Sequence, residues 1–411
     1  MAAGMLIVGA GECGARAALG LRERGYEGPV TLVGDEPHLP YERPPLSKDA
    51  MVSEAELAPK LVGDPEHFAS RRIECVTGTS AVSIDRAARR VTLADGRTLP
   101  YGKLLLATGA APRKLPLPGG DGSRCAYLRT HDDALRIRRA LKVGSHVAIL
   151  GGGFIGLEIA ASACRRGVSV TVIEALPRIL TRGVPEAIAN VVDARHRREG
   201  VTLTCGKAVL ALRETASGIE IALAGGSTVA ADLLIIGIGA VPVTDLAQQA
   251  GLAIENGIAV DAQLRTSDPD IHAAGDCCSF PLAIYGGRRV RLECWRNAQD
   301  QGGLAARNML GAGESASAVP WFWSDQYDLT LQIAGLPDES VRVVRRDLSE
   351  DAFILFHLAD DGRLVAASGV ARSNAVAKDI RLAEMLIAKG ARPDPTALAQ
   401  PQVKLKSLLA A

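Results

Sequence analysis

"MLIVGAGECGARAALGLRERG", Met5 to Gly25, is the stretch whose reading decides the fold. Its apolar start fits a buried strand, and its second half has helical periodicity. Between them Gly9, Gly11 and Gly14 stand in GxGxxG spacing. The first glycine permits a tight turn, the second lets a pyrophosphate approach the backbone, and the third lets helix and strand pack closely. The helix start then offers unpaired amides to phosphate. About twenty residues on, "VTLVGDE" ends in Asp35 and Glu36, where a carboxylate would accept ribose hydroxyls.

The same pattern returns in "HVAILGGGFIGLEIAASACRRGVSVTVIE", where Gly151, Gly153 and Gly156 open a helix and Glu174 closes the following strand. One GxGxxG is a weak signal; two complete strand, glycine, helix, strand and acid sets are a strong one. A third element, "TSDPDIHAAGDCC", puts Asp276 just past a short apolar run, placed to accept hydrogen bonds from a polyol chain. Two adenine-dinucleotide sites in one chain suggest a flavin and a nicotinamide held face to face, because hydride transfer needs the rings nearly in contact.

The rest of the composition narrows the classes. At 411 residues two or three domains are expected. A formal charge of +1 gives no field that gathers nucleic acid or anionic lipid, so neither is expected as a partner. The N-terminal run lacks the basic start of a signal peptide, and "LLIIGIGAVPV" is too short to cross a bilayer, so a soluble, cytoplasmic protein is expected. The eight cysteines show neither CxxC nor zinc-ligand spacing and read as reduced thiols, with no metal site; adjacent Cys277 and Cys278 would bridge only with strain.

The motifs "GAGECG", "PYERPPLSK", "LLLATGAAPR", "YLRT", "GGGFIGLE", "TSDPDIHAAGD", "WRNAQDQ" and "PWFWSDQY" run through essentially the whole chain. In that order they resemble the FAD-dependent ferredoxin, putidaredoxin and rubredoxin reductases, built like glutathione reductase but without its redox disulfide. The stretch "PYERPPLSK", Pro40 to Lys48, carries prolines and a lysine where disulfide reductases carry a cysteine pair. The resemblance implies an α/β fold: two Rossmann-like three-layer nucleotide-binding domains and an α+β C-terminal domain. A discontinuous FAD domain is expected over 1–110 and 244–313, an NAD domain over 111–243, and the C-terminal domain over 319–411. Turn-rich "APRKLPLPGGDGSR", the echo of "LLATGAAP" in "IIGIGAVP", and the link "GAGESASA" fit those boundaries. Beyond them, "LTLQIAGL", "VRVVRRDL", "AFILFHL" and "LVAASGV" read as strands, the last two joined by a hairpin at Asp360 to Arg363, before the helical "NAVAKDIRLAEMLIAKG".

The resemblance also assigns roles. Lys48, following the double proline at the start of a helix, would set its ammonium near the flavin N5 and pair with Glu158, favouring the anionic reduced flavin. Read alone, Lys48 is a surface lysine and Glu158 an acid at a helix start. Arg43 and Arg129 match positions that approach the FAD phosphates or adenine, although isolated arginines are usually solvated. Trp321 and Trp323 would share one face of a strand, which alone reads as core; by resemblance Trp323 lies beside the isoalloxazine and Trp295 lines the same cavity. Thus Lys48, Glu158 and Trp323 are the expected catalytic group. FAD is expected at Gly9, Gly11, Cys13, Gly14, Asp35, Glu36, Arg43, Lys48, Ala81, Arg129, Asp276 and Trp295. NAD is expected at Gly151, Gly153, Phe154, Ile155, Gly156, Glu158, Glu174, Arg182 and Gly239. Cys13 and Cys277 depart from the small residues the family pattern leads one to expect.

The implied activity is NADH-dependent reduction of FAD followed by single-electron delivery to a [2Fe–2S] ferredoxin feeding an oxygenase of the P450 or Rieske type, by a monomer or homodimer. With no cysteine pair at the opening stretch, the flavin alone must hold the second electron. Arg288, Arg289 and Arg291 are candidates to steer an acidic ferredoxin, or a solvated turn. Rubredoxin reductase and NADH oxidase on the same scaffold, or a binding protein resembling apoptosis-inducing factor, remain alternatives.

Overall fold

The computed structural model describes residues 3–409. The chain divides into two compact units: residues up to Glu42 with Ala58–Ala111 and Val241–Ala318, and Arg43–Leu57 with Pro112–Ala240 and the chain from Val319. The short Arg43–Leu57 segment, inside the expected 1–110 span, belongs by its packing to the second unit.

In the first unit the opening strand Gly4–Val8 is buried along its whole length. It sits centrally in a parallel array ordered Ile73–Val76, Val30–Val33, Gly4–Val8, Thr98–Leu106, Ile271–Ala273, and antiparallel Arg90–Leu93 and Ala81–Asp85 extend the sheet. Burial on both faces explains why these strands read as continuous apolar runs rather than alternating ones. Helix Glu12–Glu23 buries Ala15, Ala17, Ala18, Leu19 and Leu21 and packs against helix Trp295–Met309. Small residues allow that approach: a Cβ at Gly302 would collide with the Cys13 carbonyl.

The second unit repeats the architecture. Parallel strands run in the order Thr202–Cys205, Ser169–Glu174, His146–Leu150, Leu233–Ile236, Cys125–Ala126. Helix Phe154–Arg165 leaves the central strand, and an antiparallel trio, Val209–Glu214, Ile219–Leu223 and Thr228–Ala231, contributes Ile219, Ile221 and Leu223 to the core. The C-terminal part is a five-stranded antiparallel sheet, ordered Trp321–Gln326, Leu329–Gly335, Leu364–Arg372, Ala352–Leu358, Arg342–Ser349, with helix Ala377–Ala388 packed on it. The expected hairpin is present: Gly362, at φ +80°, closes the turn between the strands. The α/β class with an α+β C-terminal part is therefore what the chain adopts.

One local expectation needs correction. The double proline opens a 3-10 turn, Pro44–Ser47, and Lys48 sits at the break between that turn and a separate one-turn helix, Asp49–Val52. Proline fixes φ for the first turn, but Lys48 takes φ −118° and ψ −103°, which no continuous helix allows.

Candidate active site

The two glycine turns have the same geometry. In the first unit Gly9 has φ +117°, and a Cβ there would strike the Ala107 carbonyl. A Cβ at Gly14 would strike the Gly9 carbonyl, whereas nothing stands within 4 Å of one at Gly11. No side chain caps the helix that starts after Gly11. In the second unit Gly151, Gly156 and Gly153 play the same three parts, the first two crowded by backbone carbonyls and the third open. A crowded, open, crowded pattern beside uncapped amides fits a pyrophosphate, so both turns suit an adenine dinucleotide.

Around the first turn, Asp35 is exposed just past strand Val30–Val33, and Glu36 accepts the Tyr41 hydroxyl at 2.5 Å. Ala81 opens the antiparallel strand and is half-buried. Cys13 is buried against Gly275, the residue before Asp276, and burial pushes its thiol well above the usual range. Asp276 and Trp295 are both half-buried, Trp295 at the first turn of its helix. Sequence reading missed Gln301 of "WRNAQDQ", whose Oε1 accepts the Gly275 amide at 2.7 Å and so holds the turn that carries Asp276. Arg289 donates to the Ser279 and Val260 carbonyls, and Arg291 to Glu293 and the Asp276 carbonyl. Contacts inside their own unit thus account for both guanidinia.

Around the second turn, Glu174 accepts the Gly152 amide at 2.7 Å and the Leu176 amide at 2.8 Å. Its carboxylate is fixed at the strand end, where it would meet a ribose. Arg178 is turned away into its own loop, donating to the carbonyls of Ile179, Leu180 and Val184 at 3.0–3.1 Å. Arg182 is exposed, and Gly239 has φ +109°. Phe154 packs on Phe322 with ring centroids 4.2 Å apart, and Ile155 is exposed.

The second unit also assembles the three residues expected to be catalytic. Lys48 Nζ stands 3.0 Å from Glu158 Oε1 and 5.7 Å from the Trp323 ring centroid. Glu158 is 4% exposed, so its charge depends on close partners. Besides Lys48 it accepts the Ser47 hydroxyl on Oε2 at 2.5 Å and the Ser324 hydroxyl on Oε1 at 2.6 Å. Neither serine was predicted; Ser47 is next to Lys48 and Ser324 next to Trp323, but only the packing of three elements brings them together. Trp321 and Trp323 share a strand face with rings stacked at 5.3 Å, and Trp323 Nε1 donates to Asp325. Both are half-buried and not core. Arg43 donates to the Arg129 carbonyl at 2.5 Å, beside the Thr130–Asp133 capping box.

Comparison with known proteins matches residues 4–302 to the pyridine nucleotide-disulphide oxidoreductase family and residues 321–409 to the reductase C-terminal family. The chain belongs to the pyridine nucleotide-disulphide oxidoreductase family. Within it, the chain is 43% identical over 405 residues to the anthranilate 1,2-dioxygenase system ferredoxin–NAD(+) reductase component of Burkholderia cepacia, covering 98% of each. It is 42% identical over 334 residues to the rubredoxin-NAD(+) reductase of Pseudomonas putida, covering 80% of this chain and 86% of that one. The reductase in a covalent putidaredoxin reductase–putidaredoxin complex superposes with a TM-score of 0.94 at 34% identity, covering 100% of this chain and 98% of that one. The chain is accordingly an oxidoreductase that uses FAD and NAD(H). The disulphide of the family name has no counterpart among the described residues: all eight cysteines are free, and burial raises the Cys277 and Cys278 thiols, so neither is a ready thiolate.

Proposed function

We propose that this chain is an NADH-dependent ferredoxin reductase supplying an oxygenase, and that Lys48, Glu158 and Trp323 form its reaction centre. The observation that carries the proposal is the ion pair of half-buried Lys48 with buried Glu158, beside Trp323 and its stacked neighbour Trp321. When bound, FAD would supply the hydride acceptance and one-electron release that the side chains themselves lack. The protein's part is to hold a cation at a fixed place: Glu158, anchored by two serine hydroxyls, fixes the Lys48 ammonium, which would stabilise negative charge developing on a ring beside Trp323. Residues 1–110 and 244–313 would bind FAD through Gly9, Gly11, Gly14, Glu36 and Asp276. Residues 111–243 would bind NADH through Gly151, Gly153, Gly156 and Glu174, and residues 319–411 would complete the electron-transfer surface.

Glu174 favours NADH over NADPH, because a fixed carboxylate accepts ribose hydroxyls and repels a 2′-phosphate, and Arg178 is already engaged with its own loop. No helix among the described residues is long and apolar enough to cross a membrane; a cytoplasmic place is part of the proposal. The similarity to a rubredoxin reductase makes rubredoxin the acceptor to test against ferredoxin. NADH-driven reduction of a [2Fe–2S] ferredoxin, rubredoxin, glutathione disulfide and oxygen, measured side by side at low and high salt, tests the proposal. Fast, salt-sensitive ferredoxin reduction with negligible disulfide turnover is expected. Efficient disulfide reduction abolished by removing Cys277 and Cys278 would overturn it.

A further inference from the structure

Behind the Lys48–Glu158 pair a hydrogen-bonded chain of side chains runs through the second unit. Ser324 Oγ lies 2.6 Å from Glu158 Oε1, Gln326 Nε2 3.1 Å from Ser324 Oγ, and His196 Nε2 2.8 Å from Gln326 Oε1. The Tyr327 hydroxyl is 3.2 Å from His196 Nδ1. The chain thus ties Glu158 on helix Phe154–Arg165 to strand Trp321–Gln326 and helix Glu186–Arg198.

The chemistry of the groups gives every bond a direction. Glu158, paired with an ammonium, only accepts, so Ser324 must donate its one proton. Its oxygen then accepts from the Gln326 amide nitrogen, which turns the Gln326 carbonyl toward His196 and requires a proton on His196 Nε2. The ring is fully buried, which lowers its affinity for a second proton despite Asp193 and Glu199 nearby; Arg195 acts in the same sense as burial. With one proton, on Nε2, His196 presents Nδ1 as acceptor to the Tyr327 hydroxyl. Tyr327 is held for this at φ +57°, a left-handed conformation that residues with side chains rarely adopt. The His196 ring meets it edge-on at 5.0 Å, and the Arg195 guanidinium, paired with Asp328, lies 4.9 Å from its centroid.

We propose that His196 is a positioning residue for the reaction centre: through Gln326 it aims the Ser324 hydroxyl at Glu158 and thereby fixes where the Lys48 ammonium stands. The proposal rests on the assignment of Lys48 and Glu158 to the reaction centre. Simple packing of a buried histidine requires no particular tautomer and no dependence of Glu158 on Gln326; the relay requires both.

Two measurements on the full-length protein test it, and the first needs neither cofactor nor turnover. Selective ¹⁵N labelling of histidine imidazoles, with His196→Gln identifying the resonance, should show His196 as the neutral Nε2–H tautomer at neutral pH; an Nδ1–H tautomer or a cation overturns the relay whatever the protein catalyses. The second measurement is stopped-flow reduction of bound FAD by NADH. His196→Leu and Gln326→Leu should lower the limiting rate about tenfold, the lower end of the range for outer partners that orient a charged group, with NADH half-saturation changed by less than about twofold. His196→Gln, which keeps a donor and an acceptor, should stay within about threefold of the wild type. Wild-type rates in both leucine variants, or equal losses in His196→Gln and His196→Leu, overturn the proposal. If His196→Leu fails to fold, Gln326→Leu and the tautomer measurement still decide. A wild type whose flavin NADH does not reduce would refute the proposed activity and leave the tautomer test standing.

Discussion

Replacing Lys48 by methionine keeps most of the side-chain volume and removes the charge opposite Glu158. Removing one member of a buried ion pair costs about 3–5 kcal/mol, because the remaining charge stays desolvated. Two features reduce that figure here. Ser47 and Ser324 continue to donate to the carboxylate, and Lys48 is 23% exposed, so solvent screens part of the original attraction. The expected loss is therefore about 2 kcal/mol. Glu158→Gln added to Lys48→Met removes the stranded charge and should restore most of it, giving a coupling energy of about 2 kcal/mol in the double-mutant cycle. Urea denaturation with excess FAD throughout measures this, since cofactor binding otherwise shifts apparent stability. Stopped-flow absorbance of the same variants reads the functional part. Loss of a fixed cation beside the reacting ring should slow flavin reduction by NADH about 10–100-fold while FAD stays bound. A Lys48→Met protein as stable as the wild type and reduced at the wild-type rate would return Lys48 to an ordinary surface lysine.

Three further outcomes are expected. Glu174→Ala should narrow the NADH over NADPH preference in kcat/KM by about tenfold or more, since the fixed carboxylate supplies the discrimination; an unchanged ratio would place selectivity elsewhere. Gly156→Ala should abolish NADH binding or folding, because its Cβ collides with the Gly151 carbonyl, while Gly153→Ala should fold normally and weaken NADH alone, read by thermal melting and titration. His272 and His357, 1% and 2% exposed, have burial-lowered pKa values of about 4 against 6.5 when unfolded. The unfolded chain takes up their protons first, so the stability they allow is complete above pH 6.5 and falls toward pH 4 by about 3 kcal/mol for each histidine. Urea midpoints unchanged across that window would contradict their burial.

Both nucleotide folds were legible in the chain because their determinants are local. Gly9, Gly11 and Gly14 meet their steric requirements within a strand, a turn and a helix, and the same holds for Gly151, Gly153 and Gly156. The C-terminal hairpin was legible for the same reason: its turn chemistry stands between two runs of β-forming residues.

What sequence spacing could not provide is the environment of Glu158. Read alone, the residue was an acid at a helix start; only its resemblance to a known pattern linked it to Lys48. The two serines that hold it come from positions 111 and 166 residues away in the chain, and the histidine behind them reaches it through Gln326 on another element. Nor did spacing show that Arg43–Leu57 packs with the second unit, which is what allows Lys48 to meet Glu158 at all. Backbone turns are decided over a few residues by sterics, so the amino-acid order determines them. A buried charge is decided by whatever donors packing brings within 3 Å, and that is known only once the chain has closed on itself.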